Sequence, residues 1–229
     1  MQKQAIIIFG APGAGKGTQS ELLSDKMGLY NFETSGIIAR KMAEGKSGDF
    51  VEVNGEKYFF EKEKELASAG KLWDPPFVIY FVKEKIEELA SEDKGIVFSA
   101  SPRTLYEAEN MMPLLERLYG KSNIKIILLE VNPETTISRN SNRKRCELVR
   151  HPILFNEETK NLTVCPLDGS KLFQRDDDTV ETTKIRLVQY KERTLPMAEY
   201  LEKNKYKINK INGEQSVAKV FEDVLKAIG

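Results

Sequence analysis

The chain has 229 residues, 40% hydrophobic and 31% charged, and its 35 basic and 35 acidic side chains cancel to a formal net charge of zero. This composition belongs to a folded globular protein, and neutrality excludes a surface that attracts polyanions by bulk charge, so neither nucleic acid nor membrane binding is expected. Any anion site must be a local gathering of Lys and Arg.

In chain order, the apolar run Ala5-Ile6-Ile7-Ile8-Phe9 is too short for the core of a signal peptide, and no other run reaches membrane-spanning length, which predicts a cytoplasmic protein. The run reads as a buried strand and leads into a glycine-rich loop and a helix over 15–28. Residues 34–73 begin as a helix, then alternate from Asp49 to Phe59 around Asn54-Gly55, a strand, turn and strand. A helix over 76–92 follows Pro75-Pro76, then a strand Gly95 to Ser99, a helix over 104–119, a strand Ile124 to Val131, and a helix over 133–142 opened by Asn132-Pro133. Residues 143–174 break the rhythm: they are basic at the start, hold Cys146, Cys165 and the sole His151, carry turn formers at Asn156 and Asp168-Gly169, and show no long helical period. A helix over 178–203, a strand Tyr206 to Ile211 and a helix over 216–228 complete the chain. Strands alternating with helices predict an α/β fold with a parallel sheet flanked by helices. The expected division is a core of 1–33, 74–142 and 175–229, with inserts at 34–73 and 143–174.

The first strand runs into Gly10-Ala11-Pro12-Gly13-Ala14-Gly15-Lys16-Gly17-Thr18. Strand, phosphate loop and helix in this order turn backbone N–H groups toward a polyphosphate. Gly13, Ala14, Gly15, Gly17 and Thr18 are the candidate nucleotide contacts. Lys16 adds a full charge that can follow a transferred phosphoryl group. A nucleoside triphosphate is the natural ligand. The generic loop places Ser or Thr directly after Lys; here Gly17 intervenes and the hydroxyl is Thr18.

That variant, continuing to Gln19, resembles the adenylate kinase family of nucleoside monophosphate kinases, of the long-lid bacterial type. Thr34-Ser35-Gly36 with Arg40 is similar to the family's monophosphate-binding helix, and Ala69-Gly70-Lys71-Leu72 to its exit. Ser101-Pro102-Arg103-Thr104 looks like its Pro-Arg-Thr segment, and Arg139 with Arg143 like the entry to its lid. Arg175-Asp176-Asp177-Asp178, then Glu181-Thr182 and Arg186, looks like the lid's exit and the helix behind it. The resemblance covers essentially the whole chain. It implies a phosphate-loop kinase fold in which 34–73 binds the monophosphate and 143–174 is a mobile lid. The implied enzyme is a cytoplasmic, monomeric ATP:AMP phosphotransferase, working with Mg²⁺ on ATP and moving its γ-phosphoryl group reversibly to AMP to give two ADP. The alternatives are a kinase for GMP, UMP or CMP, or a nucleotide-binding homologue with weak activity.

The same resemblance assigns roles. Arg40 and Arg103 hold the α-phosphate of the monophosphate with Ser35 and Gly36, Arg139 packs near the donor base and phosphates, and Arg143, Arg175 and Arg186 clamp the transferring group with Lys16. Guanidinium suits this work because its planar fork grips phosphate oxygens and keeps its charge. Asp177 and Asp178 orient lid arginines; a phosphate acceptor is already ionised and needs no general base. Closure of both inserts excludes water.

Several positions depart from the family. Its Asp after the first glycine and its Asp-Gly-Phe before Pro-Arg-Thr are here Ile37 and Ser99-Ala100-Ser101, so Mg²⁺ is held chiefly through nucleotide phosphates and water, or is bound less well. Glu107 replaces a base-reading Gln: it either contacts the acceptor base or faces solvent from its helix. Trp73 either stacks on that base or fills core space. The stretch between Arg40 and Lys71 is about ten residues longer than in a typical bacterial relative, a length surface loops tolerate. In the lid, Cys165-Pro166-Leu167-Asp168 keeps a Cys-x-x-Asp ligand pair, while Val149 follows Cys146 where a second ligand is usual. Cys146, His151, Cys165 and Asp168 make a candidate structural zinc site. Two buried thiols with a surface histidine, or a lid held by hydrogen bonds, is the other reading.

Overall fold

A computed structural model describes residues 3–46, 48–69, 71–99, 101–150, 152–153, 155, 157–175 and 178–229. Gly70, Ala100, His151, Asn156, Asp176 and Asp177, named above, lie outside the described residues.

The elements begin with β1 (Ala5–Gly10), α1 (Lys16–Met27), β2 (Tyr30–Phe32), α2 (Thr34–Glu44), the hairpin β3 (Phe50–Val53) and β4 (Glu56–Phe59), and α3 (Phe60–Ser68). There follow α4 (Pro75–Ser91), β5 (Ile96–Phe98), α5 (Leu105–Tyr119), β6 (Ile124–Glu130) and α6 (Pro133–Ser141). The short strands β7 (Lys144–Cys146), β8 (Pro152–Ile153) and β9 (Leu172–Phe173) come next, and α7 (Val180–Gln189), α8 (Leu195–Lys203), β10 (Ile208–Asn212) and α9 (Val217–Ile228) close the chain.

The main sheet has the order β10-β6-β1-β5-β2, and every pairing in it is parallel. A parallel sheet must be covered on both faces, which is why β1 carries an unbroken apolar run rather than an alternating one. Ala5, Ile7 and Phe9 of β1 enter one hydrophobic cluster, with Phe77, Phe98, Met111 and Leu115, while Ile6 and Ile8 enter the other, with Leu23, Val97, Val220 and Val224. Each fully buried isoleucine stabilises the fold by about 1.5–3 kcal/mol, so β1 anchors the phosphate loop to the best-packed part of the molecule. The starts of α4, α5, α6, α7 and α9 are chemically specified. The side chains of Thr104, Asn132, Thr179 and Ser216 accept backbone N–H groups of Glu107, Thr135, Thr182 and Lys219, and Pro75 and Pro133 stand at first-turn positions.

Segments outside the main sheet have sheets of their own. β3 and β4 pair antiparallel, and Asn54 and Gly55 between them both have positive φ, 54° and 84°, the geometry of the tight hairpin turn that Asn-Gly favours. β8, β7 and β9 form a three-stranded antiparallel sheet.

Three expectations need correction. The helix predicted over 178–203 is α7 and α8 joined by a π turn, Tyr190–Thr194, in which the N–H of Leu195 bonds the carbonyl of Tyr190. Pro196 explains the interruption: in a regular helix it would leave the Glu192 carbonyl without its N–H and crowd it, and the widened turn accommodates this. The edge strand β2 was not predicted, because three residues, one an Asn, carry no periodic signal. It is held from outside, by the Tyr30 N–H on Gly95 O at 2.8 Å and by Phe32 against Phe98, ring centres 4.7 Å apart. Helix α3 was likewise hidden in the 34–73 insert; Phe60 and Glu63 fix it by burial. Among the described residues, no helix is long and apolar enough to cross a membrane.

Candidate active site

The loop between β1 and α1 is shaped by glycines with no substitute. A Cβ on Gly10 would lie 2.4 Å from Leu129 O, and one on Gly13, at φ 76°, would lie 2.9 Å from Asn140 Nδ2. Gly15, at φ 93°, is the N-cap of α1. The loop therefore wraps closely on α6 and opens the N-terminus of α1 toward solvent space, where unpaired N–H groups favour an anion. Lys16 folds back over the loop, its Nζ donating to Gly10 O at 3.0 Å and Ala11 O at 2.8 Å. Burial first, and then the neighbouring charges of Arg103, Arg143 and Arg186, lower its pKa to about 7.

Next to the loop lies a cavity of about 350 Å³. Six cations line it: Lys16, Lys71, Arg103, Arg143, Arg175 and Arg186, and no carboxylate is among its described lining residues. In a chain with no net charge, this is a strong local concentration. Like charges this close repel one another, and burial lowers the pKa of Arg103, an effect that Glu107 opposes and Arg186 reinforces.

Asp178 stands behind the cavity, 1% exposed. Its carboxylate accepts Nε of Arg143 at 2.9 Å and also Nη2 of the same fork, and lies 3.8 Å from Nη1 of Arg186. A bidentate buried pair fixes a guanidinium in one orientation. Ser35, Trp73, Pro102 and Gly13 also face the cavity. Ala14 is buried, Thr18 and Gly36 are half-buried and Gly17 is exposed.

Two predicted residues point elsewhere. Arg40 is exposed on α2 and does not line the cavity. Arg139 donates from Nη1 to Gly213 O at 2.9 Å and Gly13 O at 3.5 Å, tying the phosphate loop to the segment after β10. The solvent-facing alternative for Glu107 is incorrect: the side chain is 4% exposed. One carboxylate oxygen accepts the Arg103 N–H at 2.8 Å, the other the Thr104 hydroxyl at 3.2 Å, and burial raises its pKa. With Trp73, Thr34 and Ser101 it lines a second, much smaller cavity. Trp73 lines both cavities while packing on the core, and its indole N–H is buried with no hydrogen-bond partner among the described residues. Ile37 and Ser99, at the positions of the family's two aspartates, are both buried.

Cys146 and Cys165 are buried and free of any disulfide. Their sulfurs and a carboxylate oxygen of Asp168 lie within 4.8 Å of one another. Cys165 Sγ accepts the Leu167 N–H at 3.4 Å, and Asp168 accepts the Ser170 N–H and hydroxyl at 2.9 and 2.7 Å, bonds that hold its carboxyl well below the usual range. Val149 is exposed.

Sequence reading missed several cavity residues: Lys71, Asn140, Gln189, Tyr190 and Thr194. It also missed Arg145, whose pKa is lowered by burial and by Arg143 and Arg175. Of these only Lys71 carried a usable signal, as a cation within the family-like segment Ala69-Gly70-Lys71-Leu72. The others become visible only when α6 and α7 are seen packed beside the loop.

Comparison with known proteins gives a consistent result. A family model described as adenylate kinase matches residues 8–206. The chain is 32% identical over 226 residues to an adenylate kinase of Caldicellulosiruptor saccharolyticus, covering 98% of both chains. It is 33% identical over 223 residues to one of Methanosarcina acetivorans, covering 97% of both. It is 32% identical over 223 residues to one of Oceanobacillus iheyensis, covering 96% of both.

Proposed function

The chain belongs to the adenylate kinase family, and from that premise we propose how its own residues divide the work of an ATP:AMP phosphotransferase. The fold is that of the phosphate-loop nucleoside monophosphate kinases, and the enzyme moves the γ-phosphoryl group of ATP, carried with Mg²⁺, reversibly to AMP, giving two ADP.

In the proposed arrangement the loop amides from Gly13 to Thr18 and Lys16 cradle the donor phosphates. Arg103, with Ser35 and Gly36, holds the acceptor phosphate, and Arg40 joins it when 34–73 closes. Arg143, Arg175 and Arg186 neutralise charge spreading over the equatorial oxygens during transfer, with Asp178, and by the resemblance Asp177, fixing their orientation. Arg139 serves the donor side, beside Gly13 and Gly213. Trp73 and Glu107 form the acceptor-base wall. Residues 34–73 and 143–174 are the two closing pieces, and the protein works as a cytoplasmic monomer. The observation that carries this reading is the cavity beside the phosphate loop, whose described lining residues include six cations and no carboxylate. Two nucleotides bring roughly six or seven negative charges together, and catalysis of their reaction reduces to positioning and electrostatics.

A structural zinc ion fits the lid. Two buried thiols and one carboxylate converge within 4.8 Å, three of the four donors of the kinds that hold a structural zinc ion. His151, outside the described residues, is the proposed fourth. With four protein ligands the ion would have no open position and would serve only to hold the lid.

The test is to incubate the purified protein with Mg-ATP and each of AMP, GMP, UMP and CMP, following diphosphate formation by chromatography. AMP is expected to be fastest. No turnover with any acceptor would refute the catalytic roles, and faster turnover with GMP would refute the assignment of the base wall. Elemental analysis of protein prepared without chelator should find close to one zinc; less than about a tenth of an equivalent overturns the metal assignment.

A further inference from the structure

We infer that Thr194, in the π turn after α7, is a positioning residue for phosphoryl transfer: its hydroxyl and the Glu107 carboxylate grip the two backbone polar groups of Arg103 from opposite sides. The inference rests on the proposed role of Arg103 at the acceptor phosphate.

Arg103 is a loop residue, one position before the N-cap of α5. Loops are the mobile part of a scaffold, yet a group that aligns two reactants must be held to within roughly half an ångström. The backbone of Arg103 meets that need in an unusual way. Its N–H donates to Glu107 Oε2 at 2.8 Å, and its carbonyl accepts the Thr194 hydroxyl at 2.7 Å. Both side chains are buried, 4% and 7% exposed. One comes from the first turn of α5 and the other from a turn 91 residues away in sequence.

A threonine inside a helix ordinarily turns its hydroxyl back to the carbonyl four residues earlier. Thr194 instead directs it across to another segment. The π turn makes room for this, since Leu195 bonds the Tyr190 carbonyl that Thr194 would otherwise take. π turns are frequent at functional sites for such re-aiming.

The same helical run makes a second cross-link. Gln189 Oε1 accepts the Leu72 N–H at 3.1 Å, at the exit of the 34–73 segment. Arg186, Gln189, Tyr190 and Thr194 all face the cavity. The run from Arg186 to Thr194 is thus a strut: at one end it carries an arginine for the transferring group, and at the other it fixes the backbone of the arginine for the acceptor. Donor and acceptor charges are set relative to each other by one helix rather than by two independent loops.

Thr194→Val keeps the shape and removes the hydroxyl; Thr194→Ser keeps the hydroxyl. With thermal melting confirming that both variants are folded at the assay temperature, the valine variant should lose roughly tenfold to a hundredfold in kcat. Its KM for AMP should rise, with KM for ATP within about twofold of native, and the serine variant should recover all but about threefold of the loss. A merely structural role would move both KM values together. A valine variant with native kcat and native KM for AMP overturns the inference, as does an equal loss in valine and serine. Arg103→Lys, measured alongside, separates the two readings: if it leaves AMP kinetics unchanged, the role of Arg103 fails; if it is crippled while Thr194→Val is native, only the strut fails.

Discussion

Nucleotide binding should take up a proton at Lys16. In the free protein Lys16 is half-buried, its ammonium donates to two loop carbonyls at 3.0 and 2.8 Å, and desolvation together with Arg103, Arg143 and Arg186 lowers its pKa from 10.5 to about 7. A bound polyphosphate reverses the sign of its surroundings and restores the charged form. One unit above its pKa a group is about 90% deprotonated, so at pH 8 binding should consume about 0.9 proton, and at pH 6 only about 0.1. Affinity should fall as pH rises above 7, by up to about tenfold per unit. The stability linkage has a definite sign. The unfolded chain keeps this proton up to the ordinary lysine range while the folded chain releases it near 7, so between these limits the unfolded state binds more protons. Stability of the free protein then rises with pH, and bound nucleotide removes that rise. Isothermal calorimetry at pH 8 in buffers of different ionisation enthalpy measures the uptake directly, with Lys16→Met as the reference. Uptake below about 0.2 proton, or equal uptake in the variant, would refute the reasoning.

Asp178→Asn should cost about 3 kcal/mol in chemical denaturation, because it leaves the Arg143 fork facing a neutral partner in a buried site, and should lower kcat more than either KM; unchanged kcat would count against the orienting role. Glu63 is fully buried, and only one of its carboxylate oxygens has a described partner, the Asp74 N–H at 2.9 Å. Burial raises its pKa to about 7, so the folded state binds more protons than the unfolded one between the ordinary carboxyl range and 7, and stability falls as pH rises through that window. Glu63→Gln should flatten this slope in melts from pH 5 to 7.5. Because Ile37 and Ser99 are neutral and buried, the rate should follow the concentration of Mg-ATP and show no further rise once ATP is fully complexed; a second, weaker Mg²⁺ dependence in a titration at fixed Mg-ATP would contradict this.

What the sequence made legible is what local chemistry dictates. β1 is an unbroken apolar run, and β6 one broken only by Lys125 and closed by Glu130, because both faces of the sheet are covered. The glycines at 10, 13 and 15 are required by close approach or positive φ, and Asn54-Gly55 by its turn. Helix starts at Asn132 and Thr104 are set by residues within one turn of each other. These constraints operate between near neighbours, so order and spacing carry them. The candidate cations were legible for another reason: they resemble a family pattern, and five of them, Lys16, Arg103, Arg143, Arg175 and Arg186, face one cavity.

The rest was hidden because its cause is distant. β2 exists because β5 offers it an edge, and Asn140 matters because Gly13 lies against it, 127 positions away in sequence. Glu107 shows the limit most directly. From its residue type alone it was either a base reader or a solvated charge. Its carboxylate in fact spans Thr104 and the Arg103 backbone, a capping-box geometry displaced by one residue. The position four after Arg103 is therefore constrained by the start of α5 and also lines the small cavity proposed for the acceptor base. Two lone pairs on each oxygen would allow both duties at once, because the bonds to Arg103 and Thr104 fix where the carboxylate sits and leave acceptor capacity for the base that the proposed arrangement brings there. An amide in its place would still accept the Arg103 N–H through its carbonyl oxygen and would turn its NH₂ toward Thr104. Glu107→Gln therefore changes the charge of the base wall while leaving the anchor of Arg103 in place, and so separates two roles that residue type alone could not.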